Sequence, residues 1–185
     1  MITREGVLSV PRDAAQWKPK QDHGSVIALV GPFDAGKRVM GEVLKDYGFV
    51  PFNAQEVVLG RRDALHIPRN TRSNAEVIDI FRRVEGPDIV GKIIAGKVRA
   101  HTDLQKGGRD VVIEGVENSA DLTYIQEHLG ATVIGVEAAT SPAVSEEAKD
   151  PSLELADVVV QTTGGKRESA RVLYEGLNSL EEHKT

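Results

Sequence analysis

The sequence predicts an α/β fold of three layers, α/β/α, in which helices cover both faces of a five-stranded parallel sheet. Short apolar runs rich in β-branched residues recur along the chain, as is typical of strands buried on both faces. After each run come a turn and then a segment with helical spacing of apolar residues, the pattern of crossover helices. The chain has 185 residues, 40% hydrophobic and 28% charged, which favours a single globular domain.

Five segments are predicted as strands, at 26–30, 49–52, 111–114, 133–137 and 158–161. Between the first two, apolar residues from Val39 to Tyr47 form one stripe of a helix that Gly48 ends. The second and third strands are separated by roughly sixty residues, far more than a minimal crossover needs, and we predict three helices there, at 54–66, 73–84 and 87–105. Two further helices are predicted at 119–129, capped by Asn118 or Ser119, and at 166–180.

Residues 1–23 are predicted to form an N-terminal arm, because prolines, a tryptophan and many charges occur there without a sustained period, and residues 24–185 form the domain. The arm lacks the apolar stretch of a secretory signal. No window approaches the roughly 18 to 20 apolar residues of a membrane span. We therefore expect a cytoplasmic protein with no membrane partner.

The charge and the cysteine count exclude several classes of function. There are 23 Lys and Arg against 28 Asp and Glu, a net charge of −5, so no overall field attracts nucleic acid, and we expect no nucleic-acid partner. The chain has no cysteine. Disulfides, thiolate zinc sites and cysteine nucleophiles are therefore excluded.

A phosphate-binding loop is predicted directly after the first strand, at the start of the first helix. Its candidate residues are Gly31, Pro32, Phe33, Asp34, Ala35, Gly36, Lys37, Arg38 and Val39. The glycines allow successive amide N–H groups to point inward, the helix N-terminus adds positive partial charge, and the lysine reaches the outer phosphates. The alternative is a tight strand-to-helix turn that binds nothing. We favour phosphate binding, because the glycine spacing, the lysine, the buried strand and the amphipathic helix occur together.

Arg38 departs from the usual form of such a loop. The lysine is normally followed by Ser or Thr, whose hydroxyl ligates the magnesium bound to the phosphates. A guanidinium offers no acceptor with which to ligate a metal. Two interpretations stay open: Arg38 adds positive charge to a bound anion, or the loop persists without efficient metal-assisted transfer.

Several segments beyond the loop are similar to those of a known family. They are residues 47–58, the series Asn70-Thr71-Arg72-Ser73-Asn74, Phe81-Arg82 and Gly86-Pro87-Asp88, and residues 155–160 with Gly164-Gly165. On these motifs and the loop, residues 24–180 resemble the P-loop nucleotide kinases, in particular the dephospho-coenzyme A kinase and deoxynucleoside monophosphate kinase group. The resemblance implies a P-loop NTPase type of fold with strand order 2-3-1-4-5.

The resemblance also implies a function: ATP in the loop, a nucleotide-type acceptor between residues 52 and 88, and phosphoryl transfer aided by Lys37, Glu114 and Mg²⁺. Glu114 stands where the family commonly has Asp, and a carboxylate at a strand end can hold magnesium directly or through water. The alternative for Glu114 is a hydrogen bond to a neighbouring helix N-terminus. Arg72 and Arg82 are the candidate acceptor contacts, because arginine forks match phosphate geometry.

Two departures from the family pattern keep a second hypothesis open. Glu117 stands where the family commonly has Arg, an exchange that removes a phosphate contact and adds repulsion. Residues 138–155 contain no arginine, although these kinases carry an arginine-bearing lid there that excludes water. The alternative to a kinase is a catalytically degenerate relative that binds nucleotide or anion as a regulatory or scaffold subunit. A GTPase switch is disfavoured, because the chain has no Asn-Lys-x-Asp motif.

Overall fold

A computed structural model describes residues 25–66, 73–104, 110–139, 150–162 and 165–182. The predicted arm at 1–23 lies outside these ranges. The strands are β1 Val26–Val30, β2 Val50–Asn53, β3 Val111–Glu114, β4 Thr132–Ala138 and β5 Val158–Thr162. The helices are α1 Lys37–Asp46, α2 Ala54–Ala64, α3 Asn74–Glu85, α4 Ile89–Leu104, α5 Ser119–Leu129 and α6 Lys166–Glu182, with a 3-10 turn over Pro151–Leu155. None of the helices within the described ranges is both long and apolar enough to cross a membrane.

All five strands lie in one sheet in the order β2-β3-β1-β4-β5, and every pairing is parallel. The predicted α/β class and strand order are confirmed. Asn53 pairs with Glu114 at the ends of β2 and β3, and Val30 at the end of β1 pairs with Gly135. The carboxyl ends of these strands therefore meet at one edge of the sheet, where ligands bind in open α/β folds.

Alternate residues of each central strand point to opposite faces, which makes two apolar cores. In β1, Ala28 belongs to the core under α2 to α5, whereas Ile27 and Leu29 belong to the core under α1 and α6. All five residues of β1 are buried. The three predicted layers follow from this division, because each helix layer covers one face of the sheet.

The helix starts depend on short polar side chains. The Asn118 side chain accepts a hydrogen bond from the Ala120 amide, 2.8 Å away, so the predicted cap of α5 is confirmed. Asn53 caps α2 in the same way. Ser73 and Glu76 form a reciprocal capping box at the start of α3. Such caps satisfy amide groups that have no partner within the helix.

The observed starts of β2 and α4 differ from the predicted ones, because backbone amides at these positions donate hydrogen bonds to other parts of the chain. Strand β2 begins at Val50 rather than at residue 49, because the Phe49 amide donates to the Leu44 carbonyl (3.1 Å) and closes α1. Helix α4 begins at Ile89 rather than at residue 87, after a turn closed by the Ile89 amide on the Gly86 carbonyl. The 3-10 turn was not predicted. Its signal is Asp150, which accepts from the Ser152 amide at 2.9 Å.

Two glycines of α4 test how tightly this helix packs. A β-carbon on Gly91 would stand 2.5 Å from the backbone oxygen of Asp121 in α5, whereas one on Gly96 would meet nothing within 4 Å. We expect Gly96→Ala to raise the free energy of unfolding by about 0.5–1 kcal/mol, since alanine is the better helix former. We expect Gly91→Ala to lower it by about 1–3 kcal/mol through overpacking. Urea unfolding of both variants measures this, and equal effects would refute the close α4–α5 contact.

Candidate functional site

Two glycines determine the path of the loop between β1 and α1. Gly31 has φ 125° and Gly36 has φ 90°, values that favour glycine. A β-carbon on Gly31 would also overlap the backbone oxygen of Val136 in β4. Gly36 is the residue that precedes α1, and its carbonyl accepts from the Met40 amide at 3.1 Å. The chain therefore leaves β1 pressed against β4 and enters α1 at the ligand edge of the sheet.

Lys37 folds back over this loop. Its Nζ donates hydrogen bonds to the carbonyl oxygens of Gly31 and of Pro32, the latter at 2.7 Å. Burial lowers the pKa of the Lys37 ammonium below its usual range, while nearby carboxylates act in the opposite direction. In order of strength, these carboxylates belong to Asp150, Glu117, Asp34 and Glu114. A half-buried ammonium at the start of a helix is the group that a phosphate would approach.

The other predicted loop residues divide between core and solvent. Ala35 is buried in the core under α1 and α6, and it anchors the loop. Pro32 and Asp34 are exposed, and Phe33 is 95% exposed. Val39 is half-buried in the first turn of α1. Because Ala35 fixes the backbone and the residues before it are exposed, the solvent-facing side of the loop is accessible.

Arg38 projects from the first turn of α1 into solvent. Its side chain is 91% exposed, and its Nε lies 3.6 Å from Oε1 of Glu42, one turn later. An exposed pair at this distance contributes little to stability. The guanidinium thus stays available to a ligand.

Glu114 lies at the end of β3, where the sequence predicts it, with its carboxylate over α1. A β-carbon on Gly41 would overlap Oε1 of Glu114. Burial raises the pKa of the Glu114 carboxyl and the charge of Glu42 adds to this, whereas Arg38 and Lys37 oppose it. The role of Gly41 was missed in the sequence, and its signal was a glycine inside a predicted helix, one turn after Lys37.

The residues around Glu114 do not form a magnesium site of the usual kind. Position 38 presents hydrogen-bond donors and a permanent positive charge instead of a hydroxyl oxygen. No group of three or more His, Asp or Glu side chains suited to a metal occurs in the described parts of the chain. The metal role of Glu114 stays a prediction, because Mg²⁺ at a phosphate site is held by one or two carboxylates together with waters and the phosphates themselves.

A cavity of about 110 Å³ opens between α2, α3, the first turns of α4 and α5, and the segment after β3. We call it the α2–α3 cavity. Its lining residues are Ala54, Gln55, Ala75, Ile78, Asp79, Arg82, Val90, Gly115, Val116, Glu117 and Asp121. Glu117 in this wall also acts electrostatically on Lys37, so this side of the cavity lies within electrostatic range of the loop lysine.

Arg82 lines this cavity, but its guanidinium already has a partner. Its Nη2 donates to Oδ2 of Asp121 at 2.8 Å, and Asp121 is 1% exposed. The other carboxylate oxygen of Asp121 accepts from the Gly91 amide at 2.9 Å, in the first turn of α4. Arg82 therefore joins α3 to α4 and α5. Arg72, the other predicted acceptor contact, lies outside the described residues.

Comparison with solved structures supports this arrangement at the level of the fold. The chain matches the protein TT1252 of Thermus thermophilus with a TM-score of 0.54 and 15% identity, over 88% of this chain and 99% of that one. It matches a candidate kinase from Chloroflexus aurantiacus with a TM-score of 0.50 and 13% identity, over 89% and 100%. The chain therefore shares its α/β fold with these two structures, one of which is described as a candidate kinase.

A third similar structure is the dephospho-CoA kinase from Campylobacter jejuni, with a TM-score of 0.47 and 15% identity over 85% of this chain and 97% of that one. No protein-family model matches the sequence, and no curated protein matches it. At identities this low, the structural matches show a shared fold and no more.

Replacing Arg82 tests whether it has a structural role. Arg82→Ala leaves the buried Asp121 carboxylate without its cation, so we expect a loss of roughly 3 kcal/mol in the free energy of unfolding. Arg83→Ala is the matched control, because Arg83 is exposed on the same helix, and its expected effect is within about 0.5 kcal/mol. Urea unfolding gives both values. An Arg82→Ala protein as stable as the wild type would show that the pair with Asp121 contributes nothing.

Glu114 makes the stability of the fold depend on pH. Its pKa is raised above 4.5 in the folded protein, so its contribution is fully present below the unfolded pKa and is lost as pH rises through the folded pKa. We expect Glu114→Gln to match the wild type in melting temperature at pH 4 and below, and to exceed it near pH 7. Glu127→Gln, exposed on α5, is the control and should show no such trend. A Glu114→Gln protein that is less stable near pH 7 would contradict the sign.

Proposed function

We propose that the phosphate loop binds a nucleoside triphosphate, with ATP the first candidate, and that its terminal phosphoryl group is transferred to a small acceptor in the α2–α3 cavity. The observation that carries the proposal is the position of Glu117, which lines the cavity and acts on Lys37. A donor in the loop and an acceptor in the cavity would thus be neighbours. Proximity of two bound reactants supplies much of the catalysis in phosphoryl transfer.

The residues of the loop have distinct roles in this proposal. The backbone amides that follow Gly31 in the loop hold the phosphates together with Lys37. The ammonium of Lys37 gives up its hydrogen bonds to the loop carbonyls and donates to phosphate oxygens instead. Glu114 orients the acceptor hydroxyl or takes its proton, a task for which a raised pKa is suited. The acceptor oxygen attacks the terminal phosphorus, the bond from this phosphorus to the oxygen that bridges it to the β-phosphate breaks, and the nucleoside diphosphate leaves.

The described walls of the cavity favour an acceptor rich in hydroxyl and amino groups. They carry the carboxylates of Asp79, Glu117 and Asp121 and the guanidinium of Arg82, which Asp121 already engages. Carboxylates accept hydrogen bonds from hydroxyl and amino groups and repel phosphate. We propose a nucleotide-type acceptor whose sugar and base face these walls.

A second candidate function is nucleotide binding without transfer, in a regulatory or scaffold subunit. The observation that favours it is the charge of Glu117 beside the loop lysine, where it would repel the transferring phosphoryl group. An acceptor screen separates the two candidates. The purified chain is incubated with ATP and, in turn, nucleosides, nucleoside monophosphates, dephospho-coenzyme A and sugars, and ADP and phosphorylated product are quantified together. Product formed in step with ADP supports transfer, and ATP binding without product supports the binding subunit.

Lys37→Ala tests the phosphate loop directly. We expect it to reduce turnover, or nucleotide affinity if there is no turnover, by about a hundredfold or more, the effect of losing a transition-state donor. Its melting temperature should be unchanged or higher, because a half-buried ammonium with a lowered pKa destabilises the fold at neutral pH. The control is Lys45→Ala, an exposed lysine in the last turn of α1, which should bind nucleotide normally. Unchanged nucleotide binding in Lys37→Ala would overturn the proposal.

A further inference from the structure

Arg38 stands where a phosphate loop normally provides the hydroxyl ligand of magnesium. On the basis of the nucleotide binding proposed above, we infer that Arg38 itself is the cation that neutralises the bound polyphosphate, and that this site binds nucleotide without a divalent metal. Three observations support this inference. They are the exposure of the Arg38 guanidinium, the positive charge of the first turn of α1, and the protein groups that lie around the Glu114 carboxylate.

The guanidinium of Arg38 is held only loosely. Its contact with Glu42 is 3.6 Å long, and 91% of the side chain is exposed. Arg171, by contrast, makes two hydrogen bonds to the carboxylate of Glu168 and one further hydrogen bond to Glu175. Arg38 can therefore turn its fork towards two phosphate oxygens without breaking a strong pair.

The first turn of α1 carries two positive charges and no acidic residue. Lys37 and Arg38 thus lie at the positive end of the helix dipole, where cations destabilise a helix. Helices α2, α3, α5 and α6 each place an acid in the first turn, namely Glu56, Glu76, Asp121 and Glu168, whereas α4, like α1, has none. A polyphosphate anion at this position would reverse the repulsion.

The geometry around Glu114 argues against a metal between this residue and position 38. The Glu114 carboxylate lies against Gly41 of α1, and the charge of Arg38 acts on it directly. A divalent cation in this space would meet a guanidinium in place of a hydroxyl ligand. Arg38 also lies 3.6 Å from Oε1 of Glu42 and acts electrostatically on Glu114, so the protein itself supplies the positive charge beside these two carboxylates.

The test compares ATP binding with and without metal by isothermal titration calorimetry at constant ionic strength. ATP is titrated into the full-length chain in excess EDTA and in millimolar magnesium. We expect the dissociation constants for ATP in EDTA and in magnesium to agree within about threefold, because a metal that contributes little to binding changes the affinity little. Manganese, added to the ATP complex and followed by electron paramagnetic resonance, should show no site on the protein beyond that of free ATP.

Two variants separate the charge of Arg38 from its shape. Arg38→Ser restores the usual hydroxyl, and we expect its affinity for ATP to fall about tenfold or more in EDTA and to recover with magnesium. Arg38→Lys keeps the charge without the fork and should lie between the wild type and Arg38→Ser in EDTA. Lys45→Ala, on the same helix, should match the wild type under both conditions.

The outcomes distinguish this inference from the proposed function. ATP binding by the wild type that strengthens tenfold or more with magnesium overturns the inference and leaves the proposed function intact. Arg38→Ser that binds ATP in EDTA as tightly as the wild type also overturns it. Absence of ATP binding under either condition overturns the proposed function and the inference together.

Discussion

The close approach of Gly31 to the backbone of β4 is the constraint on which the site depends. At φ 125°, and with no room for a β-carbon beside Val136, the chain leaves the central strand and turns at once into the loop. That turn places the start of α1 at the sheet edge where β3 also ends. Lys37 from α1 and Glu114 from β3 are brought together by this geometry, although they are far apart in the sequence.

The charged side chains of Lys37 and Glu114 at this edge lower the stability of the fold. Burial lowers the pKa of Lys37 and raises that of Glu114, so each is less favourable in its charged form than it would be in water. Elsewhere, charges are paired where they hold helices together: Lys166 of α6 meets Asp46 of α1 at 2.6 Å. Perturbed, desolvated groups gathered at one edge are typical of functional sites. Lys37 and Glu114 differ in this respect from the exposed pair of Lys166 and Asp46, whose charges stabilise each other.

The fold was predictable because its signals are local. A buried parallel strand appears as a short apolar run, and a crossover helix appears as a 3.6-residue stripe, so the five strands and six helices were found to within a few residues. The order of the strands came from the family resemblance and not from these patterns. Phe49 was assigned to a strand because it is apolar and β-forming, but its amide closes α1, a backbone contact that composition does not encode.

The site was predictable only in part, for a related reason. The loop can be predicted because its residues are contiguous in the sequence. The close approach of Glu114 to Gly41 and the ion pair of Arg82 with Asp121 instead join residues that are distant in the chain. The sequence of a motif does not show whether its arginine contacts a ligand or pairs with a buried carboxylate. Asp121 itself resembled an ordinary first-turn acid of α5, and only packing shows that it also holds the start of α4 through Gly91.

This arrangement restricts how Arg82 can serve an acceptor. A phosphate that took the guanidinium from Asp121 would leave a carboxylate that is 1% exposed without its cation, and the desolvation cost would offset the new contact. The same carboxylate joins α3 to α4 and α5, so that exchange would also loosen the wall of the cavity. Arg82 can contact an acceptor without this penalty only through donor groups that Asp121 does not use. Its Nε is buried and has no hydrogen-bond partner within the described residues, so this donor group is closed to a molecule in the cavity as long as the wall keeps this arrangement.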